Sequence, residues 1–135
     1  MIVLTLPFPP SVNTYWRHIT KGKLAGRTLL SEKGRAYRIA ASVAMFDQLR
    51  RYPRLAGRLA VTLAVNPPDR RRRDLDNMPK ALLDALTHAQ VILDDSQIDD
   101  LHIVRGEPVK DGCVVVSIRA LTPETLFDES VPKAA

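Results

Sequence analysis

The chain has 135 residues, 20 lysines and arginines against 15 acids, and a formal net charge of +5. That length predicts one domain, assigned to residues 1–121, with 122–135 as a partly disordered tail. Cys113 is the only cysteine, so no internal disulfide and no cysteine metal cluster can form, which fits a reducing cytoplasm. No apolar run reaches the ~18 residues of a membrane span, and the Met1–Pro7 start lacks the basic region of a secretory signal.

Ile2 to Leu6 is β-branched and apolar, closed by Pro7, Pro9 and Pro10, and predicts a first strand. Ser11 to Leu30 mixes aromatic and basic residues with Gly22 and Gly26 and reads as a flexible excursion, with a hairpin as one form of it. Ser31 is an N-cap for a helix running to about Arg51, stopped by Pro53. Ala36, Ile39, Val43 and Phe46 form its predicted core stripe. Tyr37, Ala40, Ala41 and Ala44 widen that arc enough for it to pack on two sides, against its own sheet and against another subunit.

Arg58 to Val65 reads as a buried strand ended by Asn66-Pro67-Pro68. A second helix covers Pro79 to Ala89, with Met78, Leu82, Ala85, Leu86 and Ala89 inward. Val91 to Leu93 is a short strand or turn. Ile98–Glu107 and Cys113–Ala120 are expected to pair as an antiparallel hairpin, on the turn signal Asp111-Gly112. The order β-α-β-α-β-β predicts an α/β (α+β) domain, a mixed sheet with helices packed on it.

The chemistry concentrates in Arg70-Arg71-Arg72-Arg73-Asp74-Leu75-Asp76-Asn77. A block of like charge attracts an anionic partner, which the two carboxylates would repel. A site that brings a divalent cation to a phosphate needs both signs together. Asp74 and Asp76 are two apart and share a side if the segment is extended. Lys80 follows on the first turn of the second helix, and Asp94 and Asp95 come after that helix returns the chain. Clustered carboxylates suit a hard cation such as Mg2+, with Mn2+ as a substitute. Lys80 would then stabilise negative charge in the transition state or orient water.

Each residue also has a plainer reading. Asp76 or Asn77 can cap the helix that Pro79 begins, Lys80 can pair with Asp84, and Asp94-Asp95-Ser96 can cap a turn. Lys21, Lys23 and Arg27, beside Tyr15-Trp16-Arg17-His18, resemble a surface that follows phosphates and stacks on unpaired bases, although a single tryptophan is more often core. Calcium-loop, zinc and Gly-Lys-Ser/Thr nucleotide patterns are all missing, so no nucleotide cofactor is expected.

Pro9-Pro10-Ser11-Val12-Asn13, Tyr15–His18, Pro68-Asp69 through Asn77, Lys80-Ala81, Asp84-Ala85-Leu86-Thr87 and Leu93-Asp94-Asp95-Ser96-Gln97 together resemble the RusA-type crossover junction endodeoxyribonucleases. The resemblance covers the chain from the first strand to about Ile118. It implies a small magnesium-dependent homodimer that introduces paired symmetric nicks into four-way (Holliday) DNA junctions, in recombination and repair. By the same resemblance Asp74, Asp76 and Asp95 match the catalytic acids, Lys80 the essential lysine, and Arg70 to Arg73 lie against DNA. Asp94 is a further candidate ligand. Gln90 departs from the family, standing where glycine is expected, and the tail is longer than usual. Two other readings remain open at this level: a junction-binding protein without turnover, and a metal nuclease acting on other branched DNA.

Overall fold

In the computed structural model, which describes residues 1–121, the first strand behaves as its alternation requires. Leu4 and Leu6 of β1 (Ile2–Pro7) are buried while Val3 and Thr5 face out. β1 is an edge strand, so Pro7 at its end costs no ladder bond. The Gln48 side chain covers part of that edge, accepting from Thr5 N and donating to Thr5 O.

The four-stranded sheet has the order β1, β6 (Cys113–Ala120), β4 (Leu59–Asn66), β5 (Ile98–Arg105). β4 pairs antiparallel with β6 and parallel with β5, so the sheet is mixed. Its central place explains its nearly continuous apolar sequence, with Leu59, Val61, Leu63 and Val65 buried. The predicted pairing of the last two strands is not what forms, because β4 lies between them. Their connection bonds to the exit of β4 instead: Gly106 N donates to Val65 O, Asn66 Nδ2 to Glu107 O, and Val109 N to Pro67 O, at 2.7–2.9 Å. The Asp111-Gly112 turn is real, with φ of 65° and 68°. It ends a crossing loop rather than joining paired strands.

After β1 the chain makes one helical turn, α1 (Val12–Tyr15), and a small hairpin of β2 (Trp16–His18) with β3 (Thr28–Leu30). The longest helix is α2 (Glu32–Leu49), capped as expected: Ser31 Oγ accepts from Gly34 N at 3.0 Å, and Arg50 ends it at φ 57°. Its inward face is the edge of the expected arc, at Tyr37 and Ala41, and not the stripe at its centre. Gly34, Tyr37, Ala41 and Met45 are buried, whereas Ile39 is 66% exposed, Val43 57% and Phe46 40%, with Ala36 also outside. Close approach decides the matter. A Cβ at Gly34 would stand 2.6 Å from Tyr15 O, so small residues let this face settle on α1 where larger ones would hold it off.

α3 (Pro79–His88) begins with proline in its first turn and buries Ala81, Leu82, Ala85 and Leu86, with Met78 buried just before it, largely as its periodicity predicts. It carries the parallel crossover from β4 to β5. Both long helices contribute to one core with the inner faces of β1, β4 and β6. Among the described residues no helix is long and apolar enough to cross a membrane. The tail expected over residues 122–135 lies outside the described residues.

Candidate active site

β4 delivers the chain into Asn66-Pro67-Pro68, and Asp69 then organises the arginine run. Its Oδ1 accepts from Arg71 N at 2.9 Å and from Arg73 Nη1 at 2.7 Å. These bonds, that of the Arg73 guanidinium first, hold the Asp69 carboxyl down to about 2. The four arginines are therefore not equivalent. Arg73 is mostly covered, lies over the Phe8 ring at 5.4 Å, and offers its carbonyl to Arg105. Arg70 and Arg71 project into solvent, Arg70 meeting Glu107 at 3.2 Å. The Arg72 side chain is exposed and has no hydrogen-bond partner among the described residues.

Two grooves flank this run. One of about 450 Å³ is lined by Arg70, Arg71, Arg105 and Glu107 over Leu75 and Met78. The other, about 690 Å³, lies between the run and the turn after β1, where Ser11, Asn13 and Lys33 face Arg72, Asp74 and Asn77. The Pro-Pro-Ser-Val-Asn segment and the Arg-Asp string, far apart in sequence, thus form opposite walls of one basic groove.

Asp74 is extended (φ −89°, ψ 133°), but Leu75–Asn77 coil into a 3₁₀ turn. The alternation that would put Asp74 and Asp76 on one side therefore stops at Asp74. Both carboxylates are exposed, and neither has a hydrogen-bond or ion-pair partner among the described residues. The capping role considered for Asp76 and Asn77 is not taken up, since α3 starts from Met78 without a side-chain cap.

Asp94 and Asp95 arrive on a second 3₁₀ turn, Asp95–Gln97. Here the capping role is taken up: Asp94 Oδ2 accepts from Ser96 N at 3.0 Å, and this bonding lowers the Asp94 pKa. Asp95 is half-buried. The turn is fixed by Gln97, a buried amide whose role the sequence does not advertise. Gln97 Oε1 accepts from Leu93 N and Asp94 N, and Nε2 donates to Leu55 O and Gly57 O, all at 2.8–2.9 Å.

Lys80 stands on the first turn of α3 and bonds to Asp84 Oδ1 at 3.0 Å, one turn along rather than back to Asp76. Its ammonium also lies 5.7 Å from the centre of the Trp16 ring. Trp16 packs edge-on to Tyr15, and Tyr15 is 1% exposed, so Tyr15 has no free face for a base. Lys21, Lys23 and Arg27 are exposed on the turn between β2 and β3.

Among the described residues no three acidic, histidine or cysteine side chains stand close enough to hold one metal ion. The donor chemistry nonetheless suits a hard cation, since Asp74 on the wall of the basic groove and Asp76 two residues on are exposed carboxylates with no internal partner among the described residues. A small mixed-sheet domain that edges a basic groove with unpaired acids has the make-up of an enzyme acting on a polyanion. Residues 7–120 match the family Endodeoxyribonuclease RusA, and the chain belongs to that family of endodeoxyribonucleases. It is 40% identical over 116 residues to the crossover junction endodeoxyribonuclease of Enterobacteria phage HK97, covering 86% of this chain and 92% of that protein. The proteins of that name from Escherichia coli K12 and Enterobacteria phage 82 are 41% and 40% identical over 125 residues, covering 90% of this chain and 96% of theirs.

Proposed function

We propose that this protein resolves four-way DNA junctions as a homodimer, cutting phosphodiester bonds in a magnesium-dependent reaction that places paired symmetric nicks during recombination and repair. The observation that carries the reading is the groove in which Arg71, Arg72 and Lys33 surround Asp74. Exposed arginines draw in the phosphate backbone and set the strand along the groove, contacts that position DNA without reading its sequence. Asp74, Asp76 and Asp95 are the carboxylates that would supply ligands to a magnesium ion; they do not stand as one three-carboxylate cluster in this structure, so ion and substrate would have to draw them together, and Asp94 is committed first to its turn. A hard cation held by these carboxylates would supply charge neutralisation at the scissile phosphate and a more acidic water. Lys80 contributes a cation to the charge that builds up as the phosphate is attacked. Lys21, Lys23 and Arg27 extend the basic surface to a neighbouring DNA arm.

Paired nicks would call for a closed two-fold dimer, which presents two identical sites to a junction with the same symmetry. The outward stripe of Ala36, Ile39, Val43 and Phe46 on α2 is a surface suited to a second copy. The test is a substrate panel of four-way junction, flap and linear duplex, incubated with magnesium. The four-way junction is expected to be cut fastest, at symmetric positions on opposing strands. Faster cutting of flap or duplex would overturn the junction assignment.

A further inference from the structure

Lys80 is tied to a chain of bonds that crosses three helices. Asp84 accepts from Lys80 through Oδ1 and from the Tyr15 hydroxyl through Oδ2, both at 3.0 Å. The Tyr15 oxygen in turn accepts from Arg38 Nη2 at 3.4 Å. Arg38 is on α2, Tyr15 on α1, and Asp84 and Lys80 on α3. We propose that Asp84, Tyr15 and Arg38 are positioning residues that hold the Lys80 ammonium in its place toward the phosphate. This rests on the reading of Lys80 as the charge-stabilising group.

An exposed lysine–aspartate pair one helical turn apart contributes little. This pair differs, because Asp84 is mostly covered and its second oxygen is occupied by a buried phenol. Burial is the main cause that raises the Tyr15 pKa, so the phenol keeps its proton and remains a donor. Asp84 is thereby fixed, and it fixes one of the three ammonium hydrogens of Lys80. The Trp16 ring bounds the ammonium on another side. The side chain stays 42% exposed, leaving its other donors for an arriving oxyanion. A long side chain held this way has lost its freedom before substrate binds, so less ordering remains for the transition state.

The experiment measures single-turnover cutting of a pre-bound four-way junction with magnesium, and junction affinity with calcium. Lys80→Ala is the reference and is expected to bind but not cut. Asp84→Asn keeps the shape and loses the charge; its cutting rate should fall about tenfold with affinity unchanged. Tyr15→Phe should slow cutting about threefold, since it removes one of the bonds that fix Asp84 and leaves the carboxylate that holds Lys80. Because Tyr15 acts through Asp84, the double variant should be no slower than Asp84→Asn, whereas independent structural damage would multiply. Wild-type cutting by Asp84→Asn beside a dead Lys80→Ala overturns the positioning role alone. Wild-type cutting by Lys80→Ala removes the role of Lys80 and the relay with it. If Asp84→Asn loses junction binding, Tyr15→Phe decides: slowed cutting at full affinity supports the relay, and an unchanged rate overturns it.

Discussion

Replacing Gln97 by alanine should loosen the turn that carries Asp94 and Asp95. The amide makes four hydrogen bonds to main-chain atoms, two as acceptor and two as donor. At about 1 kcal/mol net for each, their combined loss would cost about 4 kcal/mol if no water replaced them. Gly57 and Asp94 belong to exposed residues, so water recovers part of this. An expected loss of about 2–3 kcal/mol remains, a large fraction of the stability of a domain this size. Urea unfolding of the two proteins gives the difference directly, provided the slope is unchanged. Junction cutting should fall as well, because the turn holding Asp95 no longer has a fixed place, while junction affinity in calcium persists. A stability loss below about 0.5 kcal/mol would refute the reasoning, since surface substitutions alone produce that much.

Three further outcomes follow from the same geometry. Arg71→Ala and Arg72→Ala should each weaken junction binding and flatten the plot of log affinity against log salt by about one unit, read by binding titrations at several salt concentrations; an unchanged slope would place those arginines away from phosphate. Val43→Asp should convert a dimer to a monomer in sedimentation equilibrium, because it places a charge on the outward stripe of α2. A dimer that survives would move the interface elsewhere. The carboxyl of Asp69 is lowered in the folded state, so its stabilising contribution is complete above the ordinary value of 3.8 and lost as pH falls toward about 2. The difference in melting temperature between wild type and Asp69→Asn should therefore shrink across that window, and a constant difference would deny the linkage.

Much of the architecture was legible in local patterns. Ser31, Pro53 and Pro79 mark helix limits that the structure keeps, and the Leu82, Ala85, Leu86 spacing faces the core as read. Two errors share one cause, the invisibility of tertiary neighbours. Nothing in Asp111-Gly112 says that β4 will stand between the strands it connects. On α2 the larger apolar side chains gave the stronger periodic signal, yet Gly34 and Ala41 are buried because closeness to α1 and the sheet matters more there. Gln90 is legible in hindsight: it stands at φ 60°, the left-handed conformation that favours glycine, with its side chain bonded to Arg54.

The candidate site was legible as composition rather than as geometry. Asp74, Asp76 and Lys80 could be singled out because opposite charges crowd together without cancelling. That Asp94 caps its own turn and that Asp84 anchors Lys80 were open alternatives beforehand, whereas the bonds by which Asp69 folds the arginines back, two and four residues along, were not foreseen. Gln97 and Tyr15 act across 40 and 69 residues, at Gly57 and Asp84, and no local signal reaches that far.

The central claim is that the unpaired acids beside the arginine groove serve cutting rather than folding. Asp76 tests it most directly, being exposed and without a partner among the described residues, so that its replacement disturbs no internal bond. In a four-way junction assay, Asp76→Asn should bind the junction in calcium as wild type does and leave it uncut in magnesium. Full cutting by Asp76→Asn would contradict the account.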